Sequence, residues 1–244
     1  MVNKTPDRKI NKIPVPVQRM KISIIIPTLN EEKYIGKALD HLLLIPGKFE
    51  IIVVDGGSKD KTLQTAKKYK SVKVISSEKG RAAQMNSGAK IAGGDVFLFL
   101  HADTFLPTNA YNSIEAHLHN PNITGGSFKL KLDNNHPVLR LYSWCSKLNV
   151  AFFTYGDHAM FFRKTIFEKI EGYKNIPFME DVEIQNRVRK TGKFKKLDVF
   201  VITSARRFEK YGTLTQLTVD VLLVTAFNFG LSPRILKRFY KDHA

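Results

Sequence analysis

The chain has 244 residues, 43% of them hydrophobic, which suits one large α/β domain or a domain with an appendage. Thirty-nine Lys and Arg against 22 Asp and Glu give a net charge of +17, which calls for an anionic partner: a phosphate-bearing substrate, an acidic membrane surface or nucleic acid. A single cysteine, Cys145, excludes an intrachain disulfide and fits a reducing compartment, and no stretch reaches the ~20 apolar residues of a membrane span.

Residues 1–19 are basic, hold three prolines and lack the apolar core of a secretory signal; they read as a flexible tail. From residue 20 strands and helices alternate. "KISIIIP" (21–27) is an apolar, β-branched strand stopped by Pro27, and "EKYIGKALDHLLL" (32–44) has helical spacing at Ile35, Leu39, Leu42 and Leu43. Between them "PTLNEE" (27–32) lies where a strand opens a helix and backbone N–H groups meet anions. An ordinary cap by Asn30, with Glu31 and Glu32 in the first turn, accounts for it equally simply.

"EIIVVD" (50–55) is the second strand, and it ends in "VVDGGSKD" (53–60). Asp55 there can accept hydrogen bonds from a base or ribose while Gly56 and Gly57 admit a ligand to the backbone, or the segment is a tight turn capped by Ser58. A helix over 59–69, a strand over 72–76 and a small-residue helix over 80–94 follow. Lys79 and Arg81 put positive charge beside that third helix start, either for a ligand or as a solvated basic face. "DVFLFL" (95–100) is a buried strand that runs into His101, Ala102 and Asp103. Apolar strands alternating with helices indicate a parallel sheet, and its carboxyl edge is where ligands bind. Asp103 is the third such edge feature in successive units, so it can hold a divalent cation against a diphosphate.

After residue 106 the rhythm changes. A helix (107–118), a half-exposed strand (123–132), an aromatic-rich helix (137–152), a short strand (158–163), a helix (180–192) and a last strand (194–203) are expected, followed by helices over 213–229 and 233–241. "FMEDVE" (178–183) starts the helix over 180–192 with Glu180 and Asp181, either as favourable charge at a helix N-terminus or as a general base. Arg206 and Arg207, beyond the last strand, suit bidentate phosphate contact or a solvated loop. "TLTQLTVDVLLVTAFNFG" (213–230) is too short to cross a bilayer; it packs on the core or lies on an anionic membrane surface.

Together "SIIIPTLNEE", "VVDGGSKDKT", "HAD" and "MEDVE" resemble, in order and approximate spacing, the family 2 glycosyltransferases of the GT-A fold, over roughly residues 20–230. "GDHAMFFRK" (156–164) and "TSARRFEKYG" (203–212) are similar to a bacterial subgroup of small, single-domain members, in which Gln is expected where His158 stands and Trp where Phe208 stands. The resemblance implies a mainly parallel central sheet flanked by helices, a nucleoside-diphosphate sugar donor (UDP before GDP) and transfer with inversion to a hydroxyl acceptor, glycan or lipid. It implies that Pro27, Thr28, Asn30 and Glu31 line the nucleotide pocket. Asp55 and Gly56 would meet the base or ribose, with Lys79 and Arg81 nearby. Ala102 and Asp103 are the remnant of the family's DxD motif, whose first position is His101 here, with Asp103 holding Mg²⁺ or Mn²⁺. Asp181 is the implied base, with Glu180 supporting it or contacting the acceptor.

The expected organisation is a tail (1–19), a catalytic domain (20–212) and a C-terminal helical extension (213–244), in the cytoplasm or at the inner face of the membrane. Two rival readings remain: a nucleotidyltransferase, which would show a longer Gly-rich loop after the first strand, and a nucleic-acid-binding protein, which would show basic and aromatic positions interleaved on an exposed sheet. The buried character of the strands weighs against a nucleic-acid partner.

Overall fold

The computed structural model describes residues 19–150 and 154–240. The expected tail therefore lies outside the described residues apart from Arg19, as do residues 151–152 of the expected helix over 137–152 and residue 241 of the last one.

The strands form where the sequence is apolar on both faces. In β1 (Ile22–Thr28), Ile22, Ile24 and Ile26 enter one core cluster while Ile25 enters another on the opposite side. The same split separates Ile51 and Val53 from Ile52 and Val54 in β2 (Phe49–Asp55). It separates Val96 and Leu98 from Phe97 and Phe99 in β4 (Val96–Phe99). Side chains alternate across a strand, so continuous apolar runs need helices on both sides. Helices α1 (Ile35–Leu44) and α4 (Ala110–Leu118) cover one side. Helices α3 (Arg81–Ile91), α6 (Lys164–Lys169) and α7 (Glu180–Thr191) cover the other.

One eight-stranded sheet runs β3-β2-β1-β4-β7-β6-β8-β5. The first four, with β3 at Val72–Ser76, are parallel, and α2 (Thr62–Ala66) links β2 to β3. The second half is mixed. β7 (Phe161–Arg163) is antiparallel to β4 and to β6 (Ile123–Leu132), β6 is parallel to β8 (Lys193–Thr203), and β5 (Thr104–Phe105) closes the edge antiparallel to β8. Crossing from β1 to β2 on one side and to β4 on the other creates the switch point where ligands bind in open α/β sheets.

Some boundaries depart from the sequence reading. The strand expected over 158–163 is only β7, because Gly156–His158 form a 3-10 turn. Helix α5 (Pro137–Cys145) stops short of residue 150. A helix not anticipated, α8 (Arg206–Tyr211), follows the last strand. Helices α9 (Thr213–Asn228) and α10 (Pro233–Leu236) then pack Leu223, Val224 and Leu236 against Met179 and Val182 at the start of α7. The Tyr240 ring stacks on Phe178, centroids 4.4 Å apart.

Candidate active site

The carboxyl ends of β1 and β4, the start of α3, the turn at Gly156, the loop before α7 and the C-terminal helices enclose a cavity of about 800 Å³. Pro27, Thr28, Glu31, Lys79, Arg81, Ala102, Asp103, Glu180, Asp181, Arg206 and Arg207 all line it. The convergence expected from the motifs is therefore seen for residues separated by up to 180 positions.

Three predicted residues stand apart. Asn30, Asp55 and Gly56 are not in the cavity lining. Asp55 Oδ2 accepts the Gly57 and Ser58 N–H groups, both at 3.0 Å, and Oδ1 accepts the Ser58 hydroxyl. Three of its about four acceptor positions are directed into its own loop. Asn30 has φ 54° and joins that loop to the end of β1: its N–H donates to Ser58 Oγ at 2.9 Å and its Oδ1 accepts from Lys59 N at 2.9 Å. Asn tolerates that left-handed backbone better than most residues. Gly56 leaves room for Gln84, whose amide a Cβ there would meet at 2.9 Å. Gln84, buried in α3, donates to the Thr28 and Val54 carbonyls at 2.8 and 2.9 Å and so joins two strand ends at the cavity floor. The turn-and-cap reading of these loops describes their geometry.

On one side of the cavity, Arg206 is held between two carboxylates. It makes a two-pronged pair with Glu31 (2.8 and 2.7 Å), its Nε lies 3.0 Å from Asp103 Oδ2, and its guanidinium sits 4.5 Å from the Tyr34 ring centroid. Burial pushes the Asp103 carboxyl above the usual carboxylate range, against the pull of Arg206, with Glu31 adding to the rise. His101 is held well below an ordinary imidazole by burial and by Arg81, Arg206 and Arg207, so it is neutral at pH 7.

The residues fit a divalent cation in one specific way. Among the described residues no group of three or more His, Cys, Asp or Glu side chains is placed to hold a metal unaided. Mg²⁺ is commonly bound by one or two carboxylates completed by substrate phosphates, and Asp103 can supply one carboxylate. His101 is neutral and adds no negative charge to that position.

On the other side, α7 begins abruptly. Met179 stands at φ 63°, ψ 24°, a left-handed conformation that costs roughly 1–3 kcal/mol in a non-glycine residue. It turns the chain so that Glu180 and Asp181 open the helix into the cavity, where the helix dipole favours negative charge. Asp181 Oδ2 accepts the Gly156 N–H at 2.7 Å and Oδ1 accepts the Val182 N–H at 2.8 Å. A carboxylate has about four lone-pair positions, so both oxygens keep capacity for a substrate hydroxyl. Gly156 is needed at that contact: a Cβ there would lie 3.0 Å from His101 Nε2. Glu180 is buried, and its Oε1 faces Arg81 at 3.7 Å. Burial raises its carboxyl against the pull of Arg81.

The sequence reading missed Asp157. It lines the same cavity, its buried Oδ1 has no hydrogen-bond partner, and burial together with Asp181 pushes its carboxyl up to about 7. The available signal was the Gly156-Asp157 dipeptide before an apolar strand. Asp220 is the lone charged residue of the apolar stretch 213–230. It is the partner of Arg207 at 2.9 Å and of Gln216 at 2.8 Å. His158 is buried and neutral, its Nδ1 3.3 Å from the Phe128 carbonyl, so it packs beneath the site.

A mixed sheet with a parallel nucleotide-type half, helices on both faces and a cavity at the switch point defines the GT-A architecture. Staphylococcus aureus TarS in complex with UDP-GlcNAc superposes with a TM-score of 0.65 at 22% identity, over 77% of this chain and 59% of that one. The mannosyltransferase PcManGT of Pyrobaculum calidifontis, in complex with GDP-Man and Mn²⁺, gives 0.65 at 19% identity, over 92% and 69%. The chain belongs to glycosyl transferase family 2, whose profile matches residues 23–171. A dolichyl N-acetyl-α-D-glucosaminyl phosphate diacetamido-dideoxyglucuronosyltransferase of Methanococcus voltae is 38% identical over 94 residues, 34% of this chain and 29% of that one. A poly(ribitol-phosphate) β-glucosyltransferase of Bacillus spizizenii is 40% identical over 101 residues, 37% and 16%. The matches thus span less than a third of those relatives' length.

Proposed function

We propose that this protein transfers a sugar from a nucleoside-diphosphate sugar, UDP before GDP, to a hydroxyl acceptor on a glycan or lipid, with inversion at the anomeric carbon. The observation that carries the reading is Asp181: a carboxylate held by the Gly156 N–H at 2.7 Å, in one cavity with Asp103 and four arginines. The family relationship supports a nucleotide-sugar donor, as in the TarS and PcManGT complexes.

In this reading Asp181 takes the proton of the incoming hydroxyl as it attacks, which needs a fixed carboxylate within hydrogen-bond reach. Inversion in one displacement needs no second carboxylate as nucleophile. Glu180 keeps Arg81 turned toward the cavity. Negative charge grows on the departing diphosphate, and Lys79, Arg81, Arg206 and Arg207 supply fixed positive charge for it. Asp103 is the residue that would hold Mg²⁺ or Mn²⁺, which supplies Lewis-acid stabilisation of the same leaving group. Residues 20–212 form the catalytic unit and 213–244 its extension.

Calorimetric titration of UDP- and GDP-sugars, with and without Mn²⁺, tests the donor assignment. Binding that strengthens with the cation in the parent and loses that dependence in Asp103→Asn is expected. No binding at millimolar nucleotide under any metal condition overturns it.

A further inference from the structure

Helix α9 turns an uncharged side to solvent. Leu214, Val221, Leu222 and, just beyond the helix, Phe229 are exposed, Leu222 by 62% and Phe229 by 83%. The only ionisable group of α9, Asp220, is directed to Arg207. A surface helix on a globular core normally places charge on its outer side. The strip continues through Leu231, Ile235 and Phe239, the last 68% exposed. Alongside, α5 packs Leu139 and Tyr142 toward Phe208 and Leu217 and exposes Leu141 and Trp144. Exposed apolar side chains gathered on neighbouring helices in this way mark an interaction face.

The charge around the strip selects the occupant. Arg140, Lys147, Arg234 and Arg238 are exposed on it, and neither α5 nor residues 229–240 contain an Asp or Glu. A second copy of the chain would set like charges against each other across a two-fold axis. An anionic bilayer offers both an apolar interior and a negative surface. No helix among the described residues is long and apolar enough to cross a membrane, so contact would be from one side. Tyr142 of α5, Val224 of α9 and Arg234 of α10 line the cavity, so the helices that carry the strip also wall the cavity.

We infer that the α5–α9–α10 face seats the protein on an anionic lipid surface, with Trp144, Phe229 and Phe239 in the headgroup–acyl boundary and the basic rim on the lipid phosphates. The inference rests on the glycosyl-transfer reading only in giving the surface a use, the presentation of a lipid-linked hydroxyl to the cavity. Attachment is measured without any substrate, so each reading fails on its own.

The experiment is co-sedimentation of the full chain with vesicles of phosphatidylglycerol and phosphatidylcholine, against phosphatidylcholine alone. Trp144, the sole tryptophan, serves as an internal reporter. Binding to the anionic vesicles, weakening with salt and accompanied by a blue shift of Trp144 emission, is expected. The exposed pair Phe229→Ser/Phe239→Ser should lower the partition constant about tenfold or more. Lys147→Glu/Arg238→Glu should remove the preference for anionic lipid, and both double variants should bind UDP as the parent does. Absence of vesicle binding overturns the inference. So does binding that leaves Trp144 emission and both double variants unaltered, which would locate attachment elsewhere. Self-association abolished by the Phe pair, without lipid binding, would assign the face to a second copy and equally overturn it.

Discussion

Arg206 at the start of α8 and Glu31, three residues past β1, are 175 residues apart in sequence and share two hydrogen bonds, at 2.7 and 2.8 Å. The same guanidinium touches Asp103, so one cation links the last helices to the segments that follow β1 and β4. Replacing it leaves Glu31 and the buried Asp103 without the cation they share. Arg206→Ala should cost about 1–3 kcal/mol of stability, since groups that lose a charged partner keep their desolvation penalty. It should also weaken UDP binding about tenfold or more, through loss of a charge-assisted contact. Arg206→Lys keeps the charge but not the fork and should recover only part of either loss. Thermal unfolding and UDP titration read the two effects, and unchanged UDP affinity in the Ala variant would remove Arg206 from the donor site.

Asp181→Asn keeps the shape of the group that meets the Gly156 N–H but cannot take a proton at neutral pH. Turnover should fall ~10²–10⁴-fold with donor affinity nearly unchanged. Glu180→Gln is the internal control. It loosens Arg81 and should weaken donor binding more than it slows transfer. Transfer lost in Glu180→Gln and kept in Asp181→Asn would exchange the two roles.

Asp157 gives the fold a pH dependence of definite sign. Its carboxyl titrates at about 7 in the folded chain against an ordinary 3.8, so between those values the folded state holds a proton that the unfolded state has released. Its contribution is full below about pH 4 and is lost as the pH rises to about 7. The groups facing it include Asp181, Asp103 and Asp220, with Arg207 opposing them. Asp157→Asn removes the charge. Urea unfolding should show it gaining, on the order of 2 kcal/mol, at pH 8 relative to its difference from the parent at pH 5. An equal difference at both pH values would show that Asp157 titrates normally.

Gly88 tests how tightly α3 sits on the sheet. A Cβ there would lie 2.5 Å from Ile25 Cγ2 and 3.0 Å from Val54 Cγ2, both in fully buried strands. Ala adds ~1 kcal/mol of helix propensity, but overpacking a buried interface costs ~1–3 kcal/mol. A net loss of about 1 kcal/mol is expected in denaturant unfolding, and a stabilised Gly88→Ala would mean that the helix can lift away freely.

The parallel half was legible because buried strands write themselves as apolar runs: Ile22 to Ile26 and Val96 to Leu100 leave little choice. The motif ends Asp103 and Asp181 were legible because each stands where apolar periodicity stops. Helix α8 was hidden, since six residues carry too few positions for a period to show. The partnership of Arg206 with Glu31 was equally invisible, because only the closed sheet brings residues 31 and 206 together. Asp157 looked like any turn aspartate; its altered acidity comes from Asp181 and from burial among elements remote in sequence. Asp55 read well both as ligand contact and as loop cap, and its hydrogen bonds describe the cap.

The cavity lining holds six carboxylates (Glu31, Asp103, Asp157, Glu180, Asp181 and Asp220) and six Lys or Arg side chains. The surplus of +17 is therefore carried elsewhere on the chain. Its field reaches only about 8 Å at physiological ionic strength, whereas the lining pairs meet at 2.7–3.7 Å. Two electrostatic regimes thus coexist in one molecule: a diffuse outer charge that salt erases, and a neutral, internally matched chamber that salt scarcely touches. Capture at a distance and recognition inside can be tuned by separate substitutions, neither disturbing the other.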